Sequence, residues 1–357
     1  MPNREQVLEA LRGVMDPELH RDIVSLNMVR DVEVEKGEVR VVVVLTTPAC
    51  PLKSAIQRSV EQAIRAIPGV TAVRVEMAAD VKSGRSGAAQ ERLPGVRNIV
   101  AVGSGKGGVG KSTVAVNLAA ALADSGARVG LLDADLYGPS IPILLGLKDV
   151  QPEMGQDGDR EVMLPVEREN LKVFSIGFLL KDTDAVIWRG PLLHKAVQQF
   201  LEDVLWGDLD YLIVDLPPGT GDIQISLSQL VPISSAVVVT TPQDVAFADV
   251  LRAIRMFHVT KVPILGVIEN MAVFVCPSCG ATHHVFGRGH IEQRCRENDV
   301  MYLGAIPMDL RVSPSGDQGR PIVVEAPDSP PARALRDLAS RIAARQSVMA
   351  HEADPEA

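Results

Sequence analysis

Val100-Ala-Val-Gly-Ser-Gly-Lys-Gly-Gly-Val-Gly-Lys-Ser-Thr113 is the stretch whose reading decides the architecture. The apolar run 98–102 reads as a buried strand, Gly105 to Ser112 fits G-x-x-x-x-G-K-[ST], and 111–124 has a helix pattern. Closely spaced glycines let the backbone curl with its N–H groups facing inward, and a helix N-terminus adds a field that favours phosphate. Lys111 is expected to reach the β- and γ-phosphates, and the Ser112 hydroxyl to ligate Mg²⁺. A glycine-rich turn alone is often only a turn, but strand, loop, Gly-Lys-Ser and helix in this order predict a nucleotide cradle. Its candidate residues are Gly105, Lys106, Gly107, Gly108, Val109, Gly110, Lys111, Ser112 and Thr113.

Outward from this loop, strands alternate with helices. Strands are expected at 98–104, 127–133, 171–176, 210–215, 234–240, 263–269 and 301–306. Helices are expected at 111–124, 191–206, 222–230, 244–258, 290–298 and 330–346. Continuous apolar strands such as Tyr211-Leu-Ile-Val-Asp215 indicate a parallel sheet covered on both faces. The fold class is therefore α/β, a doubly wound, mostly parallel sheet over 96–346, with 146–168 as a polar surface excursion. Leu335, Leu338 and Ile342 share one face of the last helix, which suits docking on the domain better than lying on a membrane. Residues 347–357 read as a disordered acidic tail.

Residues 1–77 form a separate, small α+β pattern: helix 4–14, strands 29–34 and 38–45, helix 51–67 and strand 70–77. Residues 78–95 are small, polar and glycine-rich, and read as a flexible linker. Within the front domain, Pro51 at a first helical position sets Cys50 near an N-cap, where the helix field favours thiolate. A small buried apolar residue is the equal alternative for Cys50. Asp16-Pro-Glu18 is either a capped turn or a pair of ligating carboxylates.

The 357 residues carry 36 Lys and Arg against 45 Asp and Glu, a net charge of -9, which argues against a nucleic-acid partner held through its phosphates. No apolar run is long enough to cross a bilayer, and the first residues lack signal or transit character, so a cytoplasmic location is expected. Four cysteines in so long a chain are no disulfide framework, and predict metal or redox chemistry.

Lys106, directly after Gly105, resembles the extra lysine of the deviant P-loop group, which includes the partitioning and cell-division-site ATPases and the nitrogenase iron protein. The resemblance implies a homodimer in which Lys106 reaches the other protomer's phosphates; a solvated surface lysine is the alternative. Carboxylates close two apolar strands, where a parallel sheet presents its ligands. Leu131-Leu-Asp133-Ala-Asp135 resembles switch I of this group, implying that Asp135 positions the attacking water and Asp133 supports Mg²⁺ or its waters. Ile213-Val-Asp215-Leu-Pro-Pro-Gly-Thr-Gly-Asp222 resembles Walker B and switch II, with Asp215 holding Mg²⁺ through water and Gly219 and Gly221 as a hinge. Asn270 matches the adenine-contacting position, a turn role being its competitor.

Val275-Cys276-Pro-Ser-Cys279-Gly280 lets two thiolates meet one metal. His283 and His284 complete a Zn²⁺ site on paper, a redox pair is a second reading, and two protomers giving two thiolates each would cradle a [4Fe–4S] cluster. Spacing alone favours zinc. The ordered set of deviant P-loop, Asp133-Ala-Asp-Leu-Tyr-Gly-Pro-Ser140, Trp188-Arg-Gly-Pro191, Asp215-Leu-Pro-Pro-Gly-Thr-Gly-Asp222, Glu269-Asn-Met271 and Cys276-Pro-Ser-Cys-Gly280 closely resembles the Mrp/ApbC family of ATP-dependent iron–sulfur cluster carriers. Asp16-Pro-Glu18, Asp22-Ile-Val-Ser-Leu26 and Thr46-Thr-Pro-Ala-Cys50-Pro51 resemble the small iron–sulfur assembly domain fused ahead of bacterial carriers.

The resemblance implies ATP and Mg²⁺ as cofactors and slow ATP hydrolysis by Lys106, Lys111 and Asp135. It implies a [4Fe–4S] cluster on Cys276 and Cys279, with Zn²⁺ as alternative occupant. It also implies apo iron–sulfur proteins and the cluster assembly machinery as partners, and Cys50 as a transfer thiol. One departure stands out: Phe286-Gly-Arg-Gly-His290 replaces a Phe-Gly-x-Gly-Gly run. The rivals are a positioning ATPase like the cell-division-site proteins, a redox protein like the nitrogenase iron protein, and a zinc-stabilised ATPase with another client. Cys295 reads as a thiol without a metal role.

Overall fold

The structure is a computed structural model that describes residues 2–84, 93, 95–135, 138–179 and 198–353, without the side chains of 222, 223 and 353. Trp188-Arg-Gly-Pro191, Leu136, Tyr137, half of the 78–95 linker, the first turns of the helix expected at 191–206, and 354–357 lie outside the described residues. Two compact units emerge, Met1–Lys82 with Ala343–Ala357, and Ser83–Ile342.

In the first unit, α1 (Arg4–Leu11) starts at a capping box: Asn3 Oδ1 accepts from Gln6 N–H at 2.9 Å, and Gln6 Oε1 from Asn3 N–H at 3.1 Å. Two short strands follow, β1 (Met15–Asp16) and β2 (Arg21–Asp22). β3 (Val29–Glu35) and β4 (Glu38–Leu45) pair antiparallel across Lys36-Gly37, both at positive φ, the geometry that matches the twist of a two-residue hairpin. α2 (Lys53–Arg65) then carries the chain over to β5 (Ala72–Ala79), parallel to β4. Strand alternation buries Val39, Val41, Val43 and Leu45, and helical spacing buries Ile56, Val60 and Ile64 against them.

In the second unit, β6 (Val96–Ser104) leads through the P-loop into α3 (Lys111–Asp124), and β7 (Val129–Asp133) into α4 (Ile141–Leu144). The stretch expected to be irregular folds into a hairpin, β8 (Met154–Asp157) with β9 (Arg160–Met163), followed by β10 (Val166–Arg168) and β11 (Leu171–Ser175). Then come β12 (Leu209–Asp215), α5 (Asp222–Leu230), β13 (Ser235–Thr240), α6 (Asp244–Val259), β14 (Ile264–Val275), β15 (Thr282–His283), α7 (Ile291–Glu297) and β16 (Tyr302–Met308). α8 (Val312–Asp317) and α9 (Ile322–Glu325) follow, and α10 (Pro330–Ala353) belongs to this unit as far as Ile342 and to the first from Ala343. Helix therefore covers 347–353, which the tail reading left irregular, because Val348 to Ala353 contains neither glycine nor proline to stop it.

The sheet order is β10-β11-β7-β12-β6-β13-β14, with β15 and β16 both pairing with β14; only β10 and β15 run antiparallel. This is the doubly wound, mostly parallel sheet expected. Its register aligns Ser175 with Asp133, and Asp133 with Asp215, so three polar side chains end neighbouring strands in one row. β14 runs to Val275 rather than stopping at 269, and so joins the nucleotide end of the sheet to the cysteine turn.

Ile64 is fully buried among Ile56, Val60 and the β4 valines. Ile64→Ala should lower the stability of the first unit by about 2–5 kcal/mol, measured as a shift of its urea midpoint at unchanged slope.

Candidate nucleotide site and cysteine hairpin

Two glycines of the P-loop, Gly108 and Gly110, adopt φ of +78° and +81°, the left-handed region that other residues enter at a cost. A side chain on Gly105 would strike the Asp249 backbone of α6 at 2.3 Å, and one on Gly110 would strike the Asn270 amide at the same distance. The cradle is thus tied to α6 on one side and to β14 on the other. Lys106 is half-buried next to the exposed Gly107 and Gly108, and Ser104 Oγ donates to its carbonyl at 3.0 Å.

Lys111 is 6% exposed, and its Nζ lies 2.6 Å from Asp215 Oδ1 and 3.8 Å from Asp135 Oδ2. Burial pushes the Asp215 carboxyl up, against the pull of Lys111. Asp133 is pushed up to about 7 by burial and by the Asp215 charge. Both Asp133 oxygens are engaged: Oδ1 accepts from Asp135 N–H at 3.1 Å, and Oδ2 from Ile141 N–H at 3.2 Å and Ser175 Oγ at 3.0 Å. Asp133 thereby shapes the loop that carries Asp135, where the sequence reading gave it Mg²⁺ or its waters. Asp215 Oδ2, by contrast, is buried and accepts no hydrogen bond among the described residues. That orphaned oxygen, on a carboxylate that the Ser112 hydroxyl also reaches, fits a hard divalent cation such as Mg²⁺.

The loop after Asp215 is held by a residue that sequence reasoning missed. Gln224 Nε2 donates to Pro217 O at 2.6 Å, and its Oε1 accepts from Gly221 N–H at 2.8 Å. Ser175 was missed as well; nothing local in Phe174-Ser-Ile176 signals its bond to Asp133. Asn270 donates from Nδ2 to Val109 O at 2.9 Å, which anchors the P-loop. It also lines a cavity of about 390 Å³ with Gly110, Met271, Pro307, Met308 and Asp309, open to the same loop. The cavity thus lies beside the loop and has room for a planar base.

β14 and β15 form a hairpin around the cysteines, pairing Phe274 with His283 and Val275 with Thr282. Cys276 N–H donates to Ala281 O, and Gly280 N–H, at φ +73°, returns to Cys276 O, both at 2.9 Å. N–H groups of Ser278 and Cys279 face the Cys276 sulfur and hold its thiol below the usual value. Among the described residues, no three of His, Cys, Asp and Glu come together as a metal site. The His283 ring lies 6.4 Å from that of Phe274 between centroids, and among the described residues His283 and His284 do not join the cysteines in a ligand group.

Cys50 departs from expectation. α2 begins at Lys53 with Leu52 as its cap, so Cys50 lies ahead of the helix and half-buried. Burial, with the charges of Glu18 and Asp16 adding to it, pushes its thiol up to about 11, outweighing the N–H groups of Leu52 and Lys53. Asp16 itself is a turn residue, its Oδ1 accepting from the N–H groups of Glu18 and Leu19 at 2.9 Å. Cys295 is fully buried and likewise pushed up to about 11. His290 stands at φ +50°, ψ +30° as the N-cap of α7, a left-handed position that the expected glycine would occupy without strain. Gly289 before it packs on the Pro242 backbone.

Residues 95–343 match the model of the NUBPL iron-transfer P-loop NTPases, and residues 4–77 that of the iron-sulfur cluster assembly proteins. A Deinococcus radiodurans protein named iron-sulfur cluster carrier protein is 51% identical over 344 residues, 96% of each chain. A Synechocystis protein of the same name is 46% identical over 351 residues, 98% of this chain and 99% of its own. Among solved structures, an Archaeoglobus fulgidus nucleotide-binding protein in complex with ADP is 40% identical, with a TM-score of 0.58 over 68% of this chain and 93% of its own. The Pyrococcus furiosus cell division ATPase MinD, 24% identical, has a TM-score of 0.51 over 69% of this chain and 98% of its own, which bears on the fold alone. Among the described residues, no helix is long and apolar enough to cross a membrane.

Two outcomes are expected from these environments. At pH 8, iodoacetamide should alkylate Cys276 at least about tenfold faster than Cys50 or Cys295, resolved by peptide mass spectrometry. A raised folded pKa stabilises the fold below the unfolded thiol value and ceases to as pH rises through about 11, so the Cys50 rate should still climb where that of Cys276 has levelled off. His290→Gly should leave the chain at least as stable, whereas His290→Val, β-branched at the same φ, should cost about 1 kcal/mol or more in thermal unfolding.

Proposed function

The chain belongs to the NUBPL iron-transfer P-loop NTPase family, and on that premise we propose that it is an ATP-dependent carrier of iron–sulfur clusters. Two protomers would each supply Cys276 and Cys279 to one [4Fe–4S] cargo and pass it to apo iron–sulfur proteins, with the cluster assembly machinery as a further partner. The observation that carries this reading is the hairpin. It presents two thiols, one with its thiolate favoured by N–H groups, and no third ligand among the described residues of the same chain. A half-site needs its other half, and a second copy supplies identical geometry. Val275, Val285 and Phe286 are exposed around the cysteines, an apolar rim that such a contact would cover.

At the nucleotide end, the amides of 105–113 and Lys111 would hold the ATP phosphates, and Lys106 those of the other protomer. Bound phosphate would give Lys111 a second anionic partner and so free Asp215 to hold Mg²⁺ through water, with the Ser112 hydroxyl as its ligand. The cation would offset charge between the phosphates when bound. Asp135, 3.8 Å from Lys111 and oriented through its N–H by Asp133, would position the attacking water. Cys50, a thiol with its proton held on at neutral pH, would serve as a transfer point only after a cation or cluster iron displaced that proton. The domain division that we propose is a front assembly domain over 1–77, a linker over 78–95 and the carrier ATPase over 96–346.

Anaerobic reconstitution with iron and sulfide tests the reading. About four irons per dimer are expected, with broad charge-transfer absorption that the Cys276→Ala/Cys279→Ala double variant lacks. Stoichiometric zinc held against iron in every preparation would overturn it. Lys111→Ala should abolish ATP binding and hydrolysis, measured by calorimetry and phosphate release, while iron loading of the dimer persists.

A further inference from the structure

β14 joins the two halves of the proposed function on one strand. Asn270 and Met271 line the cavity beside the P-loop, and Cys276 follows the strand's last residue, Val275. Between them the strand is irregular. Its pairing with β16 steps from Asn270↔Ile306 to Phe274↔Met308, so β14 uses four residues where β16 uses two. This is a bulge, a device that re-aims a strand and is common beside active sites.

Met271 sits in the bulge at φ +57°, a left-handed position that costs a non-glycine residue energy. Its neighbour Asn270 is tied to Val109 O and faces Gly110 too closely for any side chain there. Beyond the bulge, the ladder to β15 and the Cys276–Ala281 bond make Phe274 to His283 one hydrogen-bonded piece. Any change in the direction of β14 at 271–273 therefore turns the cysteine hairpin as a body.

We propose that the Met271 bulge is the positioning element through which occupancy of the base cavity sets the conformation of the Cys276–Cys279 hairpin. The inference rests on the reading that the cavity takes a nucleotide base. A base entering it would meet Asn270 and Met271, which line it, whereas a phosphate chain held by the loop alone would leave the cavity empty. The response belongs to the base half of the ligand, not to its charge. Met271 is a positioning residue here, acting on the cysteines through the strand.

Amide hydrogen exchange of 275–283 in the metal-free full chain tests the proposal. Saturating ADP should slow exchange in this segment by about fivefold, and Mg²⁺ with tripolyphosphate, which carries no base, should leave it unchanged. Met271→Gly relieves the strained backbone and inserts a swivel, so at ADP concentrations that saturate the variant the effect should fall below about twofold. Met271→Asn, which tolerates the left-handed backbone, should keep the effect. The proposal is overturned if ADP leaves the wild-type segment unchanged, if tripolyphosphate slows it equally, or if ADP-bound Met271→Gly responds in full. The wild-type comparison decides by itself should a variant fail to fold. Because the measurement contains no iron, a hairpin that ignores ADP overturns this coupling alone, and failure to load iron overturns the cargo reading alone.

Discussion

A lysine ammonium almost sealed from water needs a carboxylate, and the pairing of Lys111 with Asp215 at 2.6 Å is the constraint from which the second unit's functional edge follows. Asp215 can meet Lys111 only if β12 ends level with the start of α3, and the pairing of β12 with β6 sets that level, Asp215 lying opposite Val102. The same register carries Asp133 and Ser175 into line. A slip of one residue in β7 would turn Asp133 to the other face, and with it the anchor of the Asp135 loop. Such a pair contributes little net stability, because desolvation offsets attraction. What it supplies is a cation and an anion held ready for partners of opposite sign, in the proposed reading phosphate for one and Mg²⁺ for the other.

Much of this was legible in the chain because it depends on local spacing. Gly105 to Thr113 encodes its own loop: glycines where φ is positive or where another backbone presses close, and a lysine and serine at the helix start. The strands could be bounded within about two residues, since buried parallel strands are continuous apolar runs between turn residues. The extension of β14 to Val275 was not legible, for Glu269 and Asn270 interrupt its apolar run, and pairing with β15 and β16 carries it on. Nor were Ser175 and Gln224, because each acts on a segment far from its own neighbours in the sequence or through the reach of one side chain. The hold of Asn270 on Val109 was not legible either, since it joins positions 161 residues apart.

Cys50 and His290 show the limits of local rules from opposite sides. For Cys50, proximity to a helix start predicts a favoured thiolate, an effect of about 0.3–1 kcal/mol near the first turn. Burial and two carboxylates oppose it, and these belong to the packing of the first unit, where Glu18 is itself pushed up by burial and by Asp16. For His290, the local rule holds and the residue breaks it. A glycine-compatible position carries a histidine, and the surrounding anchors absorb the strain: Gly289 against Pro242, and Arg294 against Asp244 and over Phe247.

On the proposed reading, in which the cysteine hairpin is one half of a shared site, its openness acquires a physical logic. A closed tetrahedral set within one chain would bind its metal with the whole folding energy of the hairpin behind it, which suits a structural ion and resists release. Two thiols on an exposed turn, one poised toward thiolate by N–H groups rather than by a fixed cation, leave half of the coordination to another surface. The affinity of the whole site then depends on how two such turns face one another, a geometric quantity that small rotations of their strands can change. A carrier has to hold its cargo in one state and yield it in another, and sharing the ligands between surfaces makes that difference a matter of orientation rather than of breaking a closed shell. The strand that aims the turn passes the cavity beside the P-loop at Asn270 and Met271, so in the proposed reading orientation is controlled where a bound base would press on it.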